Sequence, residues 1–80
     1  MELQNIVINN ILNYMDSIKI EIKDDNRIKI YSKYLSKLTD ISEKRLENIL
    51  DIRKKRKIRL GEIEKICNAL NIEMYKIFKR

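Results

Sequence analysis

Histidine is missing from these 80 residues, and with it go the commonest general base and the commonest metal ligand. Cysteine occurs once, as Cys67, so neither an internal disulfide nor the paired-cysteine spacing of a zinc site can form, and the usage suits a reducing compartment. Glycine also occurs once, at Gly61, which excludes the glycine-rich loops that cradle nucleotide phosphates. The adjacent acids Asp24 and Asp25 lie in a polar stretch and read as solvated turn residues rather than as a general acid/base pair. No enzyme, metal or cofactor is expected. Runs long and apolar enough to span a bilayer are absent, and Met1-Glu2-Leu3-Gln4 lacks the basic start of a secretory signal, so a cytoplasmic chain with no membrane partner is expected. Without a Pro/Ser/Gly-rich linker, an internal repeat or a low-complexity tract, residues 1–80 read as one small domain.

What the chain does have is isoleucine, leucine and a localised positive charge. Apolar residues make up 44% of the chain and charged residues 38%, so a core exists but must be built largely from Ile and Leu. The net charge of +6 resides in one segment, where Arg53, Lys54, Lys55, Arg56, Lys57 and Arg59 stand without an intervening acid. Elsewhere twelve basic side chains balance twelve acidic ones. Such a cluster suits phosphate binding, since each neutralised phosphate releases condensed counterions; a merely solvated loop or a basic targeting signal has the same composition.

Leu3, Val7, Ile11, Met15 and Ile18 recur at helical spacing, with Ile6 and Leu12 widening the stripe, so residues 3 to 17 read as an amphipathic helix. From Ile18 to Ile22 isoleucines alternate with Lys19 and Glu21; Asp24-Asp25-Asn26 intervenes, and Ile28 and Ile30 resume the alternation. That pattern reads as a short β-hairpin at about 18–31, the competing reading being a longer first helix that leaves Ile20 in water. Ser32 then starts a second helix carrying Tyr34, Leu35 and Leu38 inward. Tyr31 and Tyr34 are phosphate contacts or, as is commoner beside leucines, core rings with a wet hydroxyl. Residues 60 to 70 form a helix with Leu60, Ile63, Ile66, Cys67 and Leu70 on one side, where Cys67 reads as buried filler. Asn71 ends it, and a short segment from Glu73 to Lys79 comes next.

The stretch from Leu35 to Leu50 organises the rest. Leu35-Ser36-Lys37-Leu38 is amphipathic; Thr39, Asp40 and Ile41 break the period, with Asp40 of a type that tolerates a left-handed turn. Ser42 can cap the next helix, whose inward stripe is Leu46, Ile49 and Leu50. On the outward face Lys44, Arg45, Glu47 and Asn48 are types that can read base edges in a major groove. Helix, short turn and a helix with a polar outer face make a helix-turn-helix arrangement.

From Ser32 to about Phe78 the chain resembles the Cro and phage-repressor (XRE-like) family, in its Leu35-Ser36-Lys37-Leu38 approach, in Ile41 and Ser42, and downstream in Glu64-Lys65-Ile66-Cys67-Asn68-Ala69-Leu70-Asn71-Ile72. Two glycines usual in that family are replaced: Asp40 stands in the turn, and none follows the recognition helix at Asp51-Ile52-Arg53. The resemblance implies a mainly α, compact, four- to five-helix lambda-repressor-like domain, with the helix-turn-helix at about 32–51. It further implies a sequence-specific double-stranded DNA-binding transcriptional regulator, a small phage or mobile-element repressor acting as a homodimer. Glu43, Lys44, Arg45, Glu47 and Asn48 would then contact bases: Lys44 and Arg45 guanine, Asn48 adenine, Glu47 cytosine. Ser32 and Lys33, near the start of the second helix, would hold phosphate together with Arg53, Lys54, Lys55, Arg56, Lys57 and Arg59. The alternative from another class is a protein-interaction module on the same scaffold, an antitoxin or an anti-CRISPR-type inhibitor with a protein partner. RNA binding is disfavoured because aromatics for stacking are few.

Overall fold

The structure, a computed structural model, describes residues 3–18 and 26–79. Five α-helices succeed one another, α1 (Leu3–Ser17), α2 (Arg27–Leu38), α3 (Glu43–Leu50), α4 (Leu60–Leu70) and α5 (Met74–Ile77), with a 3-10 turn at Ile52–Lys54 after α3. Their apolar faces meet in one cluster, and helices α2 and α3 pack on each other more extensively than any other pair.

Helix α1 supplies the floor of this core. Ile6, Val7, Ile8, Ile11, Leu12 and Met15 are all buried, a wider face than a simple stripe. Leu3, expected in the stripe, lies beyond its buried part and is exposed. Two polar side chains of α1 fasten the far end of the chain: Asn10 Nδ2 donates to the carbonyls of Ile77 at 2.7 Å and Lys79 at 2.6 Å, and the Tyr14 hydroxyl to that of Leu70 at 3.3 Å. Ile77 is thereby buried, while Tyr75 on the same short helix is exposed.

The expected hairpin is corrected on its return side. Ile28 and Ile30 belong to α2, which starts five residues before Ser32; residues 19–25, where the first strand and the turn would fall, lie outside the described residues, and no strand occurs among the described ones. Two alternating isoleucines are too short a pattern to decide, whereas Ile28, Tyr31 and Leu35 fit the helical repeat. Asn26 settles the start, since its Oδ1 accepts the Lys29 amide at 3.1 Å and supplies an N-cap. Tyr31 is buried, and its hydroxyl donates to Asp16 Oδ1 at 2.5 Å. Burial first, and that anionic acceptor second, push its pKa up to about 12, so the ring is core and the phenol stays protonated.

Helix α2 ends without a left-handed residue. Thr39 is extended (φ −124°, ψ 172°), and its Oγ1 donates to the Leu35 carbonyl at 2.8 Å while accepting the Ile41 amide at 3.2 Å. Asp40 does not adopt the left-handed conformation expected of it; among the described residues only Lys55 and Asn71 have a positive φ. A hydroxyl satisfies the turn's backbone groups, so no glycine is required. Ser42 caps α3 as expected, accepting the Arg45 amide at 3.2 Å, and Leu46, Ile49 and Leu50 are buried.

In α4 the inward residues are Ile63, Ile66, Cys67 and Leu70. Leu60 departs from the expectation: it is the first residue of the helix, ahead of the packed turns, and 65% of it is exposed. Burial raises the Cys67 thiol pKa, in keeping with a side chain that packs rather than reacts. Asn71 ends α4 in the left-handed conformation, with the Ile72 amide donating back to the Cys67 carbonyl at 3.0 Å.

Candidate nucleic-acid interface

Helix α3 has only eight residues, three of them committed to the core, so its outer face is short. Lys44, Glu47 and Asn48, spaced three and four apart, share that face. Lys44 is exposed, and Glu43, Glu47 and Asn48 are half-buried. Asn48 Oδ1 accepts from Lys54 Nζ at 3.2 Å, which brings the first part of the cationic run against the helix's polar side.

Arg45 points elsewhere. Its Nε donates to Glu62 Oε2 at 2.8 Å, and one terminal nitrogen donates to Glu62 Oε1 at 2.9 Å and to the Lys57 carbonyl at 2.8 Å. The bonds to Glu62 raise the Arg45 pKa and hold the Glu62 carboxyl below its ordinary range. A bidentate contact to guanine would require opening that pair, so the structure joins Arg45 to α4 rather than to the other outward residues of α3.

Of the residues expected on phosphates, Ser32 is corrected outright. It lies in the second turn of α2, not at its start; it is 0% exposed, and its hydroxyl has no hydrogen-bond partner among the described residues. Lys33 is exposed on the outer side of α2. The true amino end of α2 carries Arg27 and Lys29, both exposed. Sequence reasoning missed them because it placed the helix start too late; Asn26 ahead of an Ile28, Tyr31, Leu35 period was the available signal. Asn26, Arg27, Ile28 and Lys29 form one wall of an open cleft, and Glu47, Asp51, Arg53 and Lys54 form the other. The cleft thus sets four cations, Arg53 paired with Asp51 and Arg27 with Asp16, against the two acids Glu47 and Asp51 beside a helix amino end, whose dipole favours an anion.

The cationic segment is a built loop. Asp51 ends α3 and caps the 3-10 turn, its Oδ1 accepting the Arg53 amide at 3.1 Å and the Arg53 Nε at 2.9 Å. The hydrogen bonds from Arg53 hold the buried Asp51 carboxyl below its ordinary range. Lys55 takes the left-handed conformation (φ 53°, ψ 34°) at the end of that turn. The Gln4 side chain donates to the Arg56 carbonyl and accepts the Ile58 amide, while Glu62 Oε1 accepts the Arg59 amide at 2.9 Å. Backbone groups point inward to these partners, and the side chains of Arg53, Lys54, Lys55, Arg56, Lys57 and Arg59 are left exposed.

Two helices packed across a short capped turn, the second with a polar outer face beside a cationic loop, define a helix-turn-helix protein. Residues 18–80 match the Cro/C1-type HTH DNA-binding domain, and the chain belongs to that family. No curated protein and no solved structure matches it. Among the described residues no helix is long and apolar enough to cross a membrane.

Proposed function

We propose that this member of the family is a sequence-specific double-stranded DNA-binding repressor of the small phage or mobile-element kind, acting as a homodimer. Helix α3 lies in the major groove, where Lys44 meets guanine, Asn48 adenine and Glu47 cytosine, with Glu43 at the helix start beside them. Lys33, the 53–57 run, Arg59, and additionally Arg27 and Lys29, hold phosphates. The observation that supports this most is the cleft shared by the start of α2, Glu47, Asp51, Arg53 and Lys54, with Lys54 bonded to Asn48. It brings Glu47 of the polar face, a helix amino end and the first two cations of the loop together, and the Lys54 bond adds Asn48. A dimer would set two copies of α3 about 34 Å apart, one groove turn.

Selection from random duplexes, with the mass of the protein measured in solution, tests the reading. An enriched two-fold symmetric site and a dimeric mass are expected. Within that site Asn48→Ala loses about 1–3 kcal/mol of discrimination at one base position, whereas Lys55→Ala weakens every sequence alike. No enriched duplex, together with capture of one stoichiometric protein partner, would replace the repressor by a protein-interaction module.

A further inference from the structure

The acids nearest the cationic loop have the wrong sign for a DNA-binding surface, and their bonding suggests why they are there. We propose that Glu62 and Arg45 are positioning residues for DNA binding: the pair fixes the loop to α3 and α4, so that its cations meet the phosphates from a set direction. This rests on the DNA-binding reading above.

Three pieces of chain close on the pair. Arg45 belongs to α3, the Lys57 carbonyl it holds at 2.8 Å belongs to the loop, and Glu62 belongs to the first turn of α4. Glu62 uses both oxygens on Arg45, at 2.8 and 2.9 Å, and one of them also on the Arg59 amide at 2.9 Å. Such a fork fixes orientation as well as distance, which a lysine at the same place would not. The Arg45 side chain is 31% exposed and that of Glu62 14%, so the pair is less screened than a surface contact. With Nε and one terminal nitrogen committed, Arg45 has no free fork for a base.

Simple charge counting points the other way. Removing a carboxylate near a phosphate-binding loop adds one positive charge and should tighten binding. Glu64 offers the control, because it stands two residues away on the same helix, is exposed, and gives the same charge change.

The experiment measures the full chain on its selected duplex across a salt series, as wild type, Glu62→Gln, Glu64→Gln and Arg45→Met, with circular dichroism confirming that each is folded. Glutamine retains an oxygen for the Arg59 amide, and Arg45→Met leaves that cap intact, so the two variants perturb the node from opposite sides. Glu62→Gln is expected to bind more weakly despite its added charge, its slope of log K against log salt becoming shallower by about 0.9 for each phosphate that the displaced loop no longer neutralises. Arg45→Met should share the shallower slope and keep the wild-type base preference, and Glu64→Gln should keep the wild-type slope. If Glu62→Gln tracks Glu64→Gln, or if Arg45→Met shifts preference at one base position, the pair does not position the loop. If the wild type selects no duplex, the DNA-binding reading fails and takes this inference with it.

Discussion

Helix α3 is entered and left by two connections that solve the same problem in opposite ways. Both occupy places where this family commonly uses glycine, and neither has one. The turn at 39–42 is short and held by hydroxyls: Thr39 bonds forward and back across it, and Ser42 caps the first turn of α3. These hydrogen bonds all close within four residues. The loop at 51–59 is long and cationic, takes one left-handed residue at Lys55, and is held by Asp51 locally and by Gln4, Arg45 and Glu62 from three other elements. A turn whose backbone donors and acceptors are met locally holds its own shape, whereas a loop that must display positive charge has to borrow its restraints from elsewhere.

Thr39→Val breaks the first connection while keeping its shape. The Ile41 amide loses its acceptor beside a buried side chain, and the Leu35 carbonyl loses a donor. A loss of about 2 kcal/mol in unfolding free energy by urea denaturation is expected, the largest effect among these variants. Ser42→Ala removes only the cap and should cost about 1 kcal/mol in the same measurement. A loss from Ser42→Ala as large as that from Thr39→Val would mean that the turn depends on its cap, not on the threonine bridge.

The same contrast explains what could be read in advance. Helices α1, α3 and α4, the cap at Ser42 and the core stripe of Leu46, Ile49 and Leu50 all derive from short-range pattern, and all are present. The start of α2 is hidden in the sequence because Ile28 and Ile30 alternate, and the Asn26 cap sits at the end of a polar stretch that resembles a turn. Misplacing that start puts Ser32 at a helix end and leaves Arg27 and Lys29 unread. Residue type alone suggests a left-handed backbone for Asp40, although Thr39, one position earlier, carries the hydroxyl that makes this unnecessary. Arg45 illustrates the remaining limit. Its residue type suits guanine, but its partner Glu62 lies seventeen residues on, and only three-dimensional packing pairs them.

Lys55 tests whether the second connection tolerates its left-handed residue at a cost. Such a conformation disfavours a side chain by about 1–2 kcal/mol, and glycine returns part of that gain through its larger entropy in the unfolded chain. Lys55→Gly should therefore raise stability by about 0.5 kcal/mol in the urea experiment. It should also weaken DNA binding uniformly over sequences, because one cation is lost. A destabilised Lys55→Gly would mean that the loop is held by the lysine side chain and not by its backbone.

The smallest effect belongs to the acid facing the first connection. Lys65 Nζ lies 2.8 Å from Asp40 Oδ1 and holds that carboxyl below its ordinary 3.8, just as Arg45 holds Glu62 below its ordinary 4.5. A carboxyl with a depressed folded pKa adds stability that is fully present above the unfolded value and is lost as the pH falls through the folded one. Both pairs should thus weaken only in acid, below about pH 4.5, and neither should respond between about pH 6 and 9. Their surroundings set them apart: the Asp40 side chain is 75% exposed, where water and salt screen its attraction to Lys65, and that of Glu62 is 14% exposed. Asp40→Asn should therefore leave the acid limb of the stability profile unchanged within error in about 0.15 M salt, roughly physiological strength, while Glu62→Gln makes that limb shallower. An equal flattening by both would mean that the exposed turn pair is as tightly coupled as the one behind the loop, and that the two connections are not held in different ways after all.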